Sequence, residues 1–215
     1  MSAREEIMKA ADRLFGEVGF EAATTREIAE LSGVNKALIH YHFKSKDSLY
    51  GSVLDDYYAR LDETLQDALA KEGTLRDRML SVVDAYVDFL AHNLNFSRIV
   101  QRESSGGAHL DRVRAHLMPM FETGRKLLEE TFPATRSGEF AAHQLLTSFY
   151  GMIVSYFTYS GVLEHLIGRD PLSQKELEAR KAHLHKMFDI MLSAMQEEEG
   201  SRRNLKNKAI HKKSK

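Results

Sequence analysis

Residues 24 to 49 read TTREIAELSGVNKALIHYHFKSKDSL, and the spacing within this stretch decides the fold. Thr24 and Glu27 stand three apart, the arrangement in which a cap hydroxyl and a carboxylate satisfy orphan backbone N–H groups at a helix start. A short helix follows, with Ile28, Ala29 and Leu31 apolar, and stops at Gly33. After only Gly33-Val34-Asn35 a second short helix runs from about Lys36 to Phe43, with Asn35 as its N-cap. Two short helices joined by a three- or four-residue turn containing glycine form a helix-turn-helix. Ser45 then caps a longer helix from Lys46 to about Lys71.

Working outward, Ile7, Ala10, Ala11, Leu14, Phe15 and Val18 recur at helical spacing upstream, with Gly19 at the end. Downstream, Thr74 opens a helix to about His92, a short piece spans Phe96–Glu103, and Ser104–Gly107 is a loop. The next helix runs from about Ala108 to Thr131, kinked at Pro119. Two long amphipathic segments, Ser137–Ile167 and Ser173–Glu199, are separated by a break containing Pro171. Every segment is helical, which makes the chain all-α.

Composition agrees and excludes several classes. In 215 residues there are three prolines and thirteen glycines, fewer than chains of many short strands and turns usually need. With no cysteine, disulfides, thiolate chemistry and zinc-thiolate sites are ruled out. The first residues, MSAREEIMKAADRLF, lack the apolar run of a signal peptide. No stretch approaches the ~18 apolar residues of a membrane span, so the expectation is a soluble, cytoplasmic protein with no membrane partner.

Net charge is −1, but its distribution is uneven. Residues 201–215 carry seven basic side chains and no acid, leaving 23 basic against 31 acidic in the other 200. No Asp or Glu falls between Glu30 and Asp47, a window that holds Lys36, His40, His42, Lys44 and Lys46. Phosphate repels carboxylates at close range, so an acid-free window suits a nucleic-acid contact.

Paired Thr, Ile-Ala, Gly-Val and Tyr-His-Phe-Lys-Ser-Lys together resemble the DNA-binding signature of the tetracycline-repressor (TetR) family over roughly residues 5–50. The resemblance implies an all-α homodimer. Residues 1–48 would form a three-helix helix-turn-helix DNA-binding domain and 49–199 a helical effector-binding and dimerisation domain. A basic, disordered tail would occupy 200–215. In a helix-turn-helix the second helix enters the major groove N-terminus first. Asn35, Lys36, Ala37 and His40 are then the residues that face bases. Lys suits guanine O6 and N7, and Ala suits a thymine methyl. Thr25 sits in a helix first turn where a phosphate is held. Tyr41, His42 and Lys46 resemble the family's phosphate contacts, while Ile39 and Phe43 look like core. Leu38 and His40 depart from the family's usual small polar and aromatic residues, which leaves the operator sequence open.

The function implied is a sequence-specific transcriptional regulator, a repressor released from a near-palindromic double-stranded operator by a small-molecule effector. A two-fold dimer reads half-sites roughly 34–36 Å apart or a multiple of that. Candidate interface residues are Leu145, Phe149, Ile153 and Tyr156 on one helix and Leu184, Phe188, Met191 and Met195 on the other. Candidate effector contacts are Phe96, Arg102, His116, Met120, Phe121, Tyr150 and Phe157, whose aromatic and Met content points to an apolar or aromatic ligand. No cofactor or metal is expected. His40/His42 and His183/His185 are two apart, about 200° around a helix, so neither pair chelates from one face. His-Glu-x-x-His, phosphate loops and Gly-x-Ser-x-Gly are absent from the sequence. An enzyme, or a helical partner-binding module without a DNA role, are the alternatives.

Overall fold

The computed structural model describes residues 2–213, with side chains through residue 200. Helix starts follow the cap chemistry. Ser2 and Glu5 form a capping box for α1 (Ala3–Ala22). Thr24 and Glu27 do the same for α2 (Thr25–Ser32), with Glu27 N–H donating to Thr24 Oγ1 at 3.2 Å and Thr24 N–H to the Glu27 carboxyl at 2.9 Å. Asn35 caps α3 (Lys36–Phe43) and Ser45 caps α4 (Lys46–Leu69). Thr74 and Asp77 box the start of α5 (Leu75–His92). Gly33 ends α2 in the left-handed region, φ 69°, where a β-carbon is disfavoured.

The remaining helices are α6 (Leu94–Ser104), α7 (Leu110–Thr131), α8 (Ala142–Thr158), α9 (Ser160–Ile167) and α10 (Gln174–Lys213), with a 3-10 turn at Pro133–Arg136. Among the described residues there is no strand, and no helix is long and apolar enough to cross a membrane. α7 continues through Pro119. The segment expected as one helix over Ser137–Ile167 is two, α8 and α9, broken at Tyr159. α10 extends beyond the expected Glu199, with bounds that reach Lys213. The side chains of the basic tail from 201 onward lie outside the described residues.

α1 packs along α6, and α4 packs along α5 and crosses α1 and α7. The core begins with Ile7, Ala11, Phe15, Ile28, Ile39 and Phe43, continues through Leu49, Tyr50, Leu54 and Leu61, and reaches Val87, Ile99 and Leu184. It is one cluster, so the boundary expected near residue 48 falls inside α4, which passes through both parts. Burying one such side chain stabilises by about 1.5–3 kcal/mol, while a cap contributes about 1. Packing therefore holds α4 in place, and its cap only sets where it starts. α10 is tied to α5 by polar side-chain pairs. Arg76 grips Asp189 with two bonds of 2.6 and 2.7 Å, His185 meets Asp84 at 2.7 Å, and Lys181 reaches Asp88.

Candidate nucleic-acid interface and effector cavity

α3 divides cleanly by exposure. Ile39 and Phe43 are buried, whereas Asn35, Lys36, Ala37, Leu38, His40 and Tyr41 stand exposed. Tyr41 keeps 69% of its surface in solvent, far more than a core ring would. Leu38 is also exposed, an apolar group placed among the same polar neighbours. The Asn35 side chain accepts from Ala37 N–H at 2.9 Å, so its oxygen is committed to the helix start. His42 is half-buried, with its ring edge-on to Tyr41.

Lys46 is spent inside the protein. Its ammonium donates to the carbonyls of Phe20 at 2.8 Å and Ala23 at 2.9 Å and lies over the Phe20 ring. The phosphate role expected for it is corrected to closing the C-terminal end of α1, where unpaired carbonyls attract a cation. Arg102, expected in an effector site, does similar work: it donates to the carbonyls of Phe15, Gly16 and Glu17 at 2.9–3.1 Å. These carbonyls lie in the turn before Gly19, where α1 leaves helical dihedrals, φ 86°. Thr25 is half-buried in the first turn of α2, where the Glu27 carboxyl already sits. The Thr24 hydroxyl and N–H hold that carboxyl below the usual range.

Two cations beside α3 were not among the expected DNA contacts. Lys44, the residue with φ 65° at the end of α3, donates to the Tyr41 carbonyl at 2.9 Å and lies near the Tyr41 ring. It belongs to the acid-free window, which was the available signal. Arg4 sits over the Phe43 ring at 5.3 Å from the far end of α1, and no spacing rule could have found it.

Behind the helix-turn-helix, a polar knot joins four helices. Glu103 at the end of α6 accepts from the Tyr50 hydroxyl at 2.6 Å and from His109 N–H at 2.8 Å. His109, which opens α7, reaches Asp47 in the first turn of α4 at 2.8 Å, and its ring packs against Phe20 and Tyr50.

The far half of the chain encloses an apolar cavity of about 460 Å³, within the usual size for small-molecule sites. Its walls come from α4 (Leu65, Leu69), α5 (Met79, Val83, Tyr86), α7 (Leu117, Met120, Phe121, Leu127), α8 (Leu145, Phe149, Tyr150, Ile153) and α10 (Phe188, Met191, Met195). Of the expected effector contacts, Met120, Phe121 and Tyr150 lie here. Phe96 and Phe157 do not: both are core, with Phe96 against Tyr57, Tyr58 and Phe89. His116 pairs with Asp55 at 2.8 Å and stacks on Tyr58.

The expected dimer residues are also relocated. Leu145, Ile153, Leu184, Phe188 and Met195 are buried within the single chain, and all but Leu184 line the cavity together with Phe149 and Met191. Tyr156 donates to the Pro171 carbonyl. A helical period reveals an apolar stripe, but the stripe can face its own subunit as readily as another. A second hollow, between α1, α4 and the start of α6, is polar. Several of its groups are paired with one another: Asp12 with Tyr57 and Asn95, Arg60 with Asp56 and Asn93.

Comparison with known proteins bears on both halves. Residues 7–53 match the family model of bacterial regulatory proteins, tetR family. The chain is 33% identical over 97 residues to the HTH-type transcriptional activator FasR of Mycolicibacterium smegmatis, covering 45% of this chain and 44% of that protein. It is 31% identical over 102 residues to the HTH-type transcriptional repressor AcnR of Corynebacterium diphtheriae, covering 47% and 52%. The chain spans about half the length of the curated relatives it matches. Solved structures share the wider fold at low identity. The fatty acid degradation regulator FadR from Bacillus halodurans aligns with a TM-score of 0.65 at 14% identity, covering 87% of this chain and 94% of that one. The ketosteroid transcriptional regulator KstR2 of Mycobacterium tuberculosis aligns at 0.65 and 16%, covering 85% and 91%.

Proposed function

We propose, because residues 7–53 match the family model of bacterial regulatory proteins, tetR family, that the chain is a homodimeric, sequence-specific DNA-binding transcriptional regulator. We further propose that it represses, and that a small molecule in the apolar cavity releases it from its operator. The observation that carries the first reading is the exposed face of α3: Lys36, Ala37, Leu38, His40 and Tyr41 stand together in a stretch without a single acid. Lys36 and Ala37 at the helix start address base edges, and Tyr41 with Lys44 addresses backbone phosphates. Relatives named as regulators support it.

Release follows from the continuity of α4. Its first turn touches the end of α3, and its last turns supply Leu65 and Leu69 to the cavity, roughly 36 Å of helix at 1.5 Å per residue. α7 adds a second route, since it lines the cavity and its opening residue His109 holds Asp47. An effector that displaces either helix tilts α3 out of register with its twin. To move occupancy from 1:99 to 99:1 it must favour the released state by about 5.5 kcal/mol.

The dimer face we propose lies on the outer side of α8, α9 and α10. α9 buries none of its residues, and Tyr159, Val162 and Leu166 are 57%, 67% and 78% exposed. Nothing stands within 4 Å of a β-carbon placed on Gly151 of α8, so another helix can approach closely there.

Selection from a random duplex library at one fixed salt concentration tests the reading. Recovery of a near-palindrome bound ~10³-fold tighter than scrambled duplex is the expected result. If no sequence is enriched and all binding vanishes with salt, the regulator reading fails and the helix-turn-helix is scaffold.

A further inference from the structure

The cavity carries one kind of deep polar group. At its exposed edge, Gln66 donates to Asp62 at 2.6 Å and the Thr123 hydroxyl to the Pro119 carbonyl at 3.0 Å, so these groups answer one another or their own helix. Further in, the polar lining is tyrosine: Tyr86 from α5 and Tyr150 from α8. Tyr58 of α4 does not itself line the cavity but lies behind these two, 2% exposed, with its ring stacked on His116 and edge-on to Phe96. Its hydroxyl is buried and has no hydrogen-bond partner. The three hydroxyls lie within electrostatic reach of one another, and burial pushes all three above the ordinary tyrosine value. No Lys, Arg or His lines the cavity among the described residues.

A buried hydroxyl without a partner is unfavourable unless a ligand completes it. A carboxylate brought into this lining would lose its water and meet no cation, which is far more unfavourable. We infer that the cavity takes an uncharged, mainly apolar molecule whose one hydrogen-bond acceptor, an alcohol, ketone or ester oxygen, is met by the Tyr58, Tyr86 and Tyr150 hydroxyls. The corresponding carboxylate is rejected. This rests on the effector reading above and narrows it to a chemical class.

The test uses the full chain and four probes on one skeleton: 1-decanol, decane, decanoate and decyltrimethylammonium, titrated by calorimetry at neutral pH, with operator affinity measured in parallel. The expected result is that 1-decanol binds at least about tenfold tighter than either ion. Tyr58→Phe should weaken 1-decanol roughly three- to tenfold, the worth of one hydrogen bond, and leave decane unchanged. It should also raise the melting temperature of the ligand-free protein, because it removes an unpaired buried hydroxyl. A merely structural hydroxyl would not give that opposite pair of effects. Decanoate binding as tightly as 1-decanol, or a Tyr58→Phe chain that binds 1-decanol normally, overturns the inference and leaves the effector reading standing. If none of the four binds or alters operator affinity, both fall.

Discussion

The Tyr50 hydroxyl donates a 2.6 Å hydrogen bond to the Glu103 carboxyl, fastening the start of α4 to the end of α6. Both residues are buried, at 1% and 5% exposure. Burial first, and the Glu103 bond second, push the Tyr50 hydroxyl far above its ordinary value. The bond matters because Arg102, one residue earlier, closes the end of α1. A shift of α6 therefore reaches α4 and α1 together, two of the helices on which α3 rests.

Tyr50→Phe leaves a Glu103 oxygen buried without its donor and should lower stability by about 1–3 kcal/mol in urea unfolding. Adding Glu103→Gln removes the unmatched charge and should restore part of that loss. A Tyr50→Phe chain as stable as the parent would show the bond to be idle.

Lys36→Ala should weaken operator binding by about 1–3 kcal/mol and relax specificity at one base pair. Tyr41→Ala should weaken all sequences alike, with both variants keeping their helical circular dichroism. Lys46→Met, in contrast, should lower the melting temperature, since its ammonium closes two carbonyls at the end of α1 within 2.9 Å. A Lys46→Met chain with unaltered stability would return that residue to the phosphate-contact group.

At Gly16 a side chain of α6 lies close against α1. A β-carbon there would lie 2.5–2.6 Å from three Asn95 side-chain atoms, including its Cβ. Asn95 cannot swing aside without losing its 3.0 Å bond to Asp12. Gly16→Ala should therefore cost about 1–3 kcal/mol, although alanine is the better helix former; a gain in stability would mean that α6 yields freely.

Alkaline pH should unfold the chain cooperatively. Tyr50, Tyr57, Tyr58, Tyr86 and Tyr150 have hydroxyl pKa values raised chiefly by burial. In the unfolded chain they ionise near pH ~10. Above that pH the folded state holds more protons than the unfolded one, so stability falls as pH rises, having been fully present below it. Tyrosinate absorbance from the buried rings should appear together with loss of helical signal. Their ionisation with helix intact would refute this.

Val162→Glu with Leu166→Glu should yield monomers by sedimentation, whereas Leu145→Ala should leave the dimer whole while enlarging the cavity. Dimers that survive the α9 change but dissociate with Leu145→Ala would reinstate the interface drawn from the apolar stripes.

Much of the N-terminal third was legible beforehand, because it is governed by contacts three or four residues apart. Thr24 with Glu27, Asn35 and Ser45 each bond to backbone within three positions, so spacing alone located the starts of α2, α3 and α4. The exposed face of α3 followed from the same period once Ile39 and Phe43 were placed inside. The lone wide departure was Lys46, whose partners Phe20 and Ala23 lie more than twenty residues away.

Sequence by itself thus determined the helices, their caps and the side of α3 left open to a partner, since each depends on hydrogen bonds and periodicity along the chain. Only the tertiary structure decided what each apolar stripe faces. Leu145 and Phe188 are forty-three positions apart and line one cavity, while Val162 and Leu166 stay largely exposed. That difference is set by where and how helices cross, which distant packing dictates and local spacing does not encode.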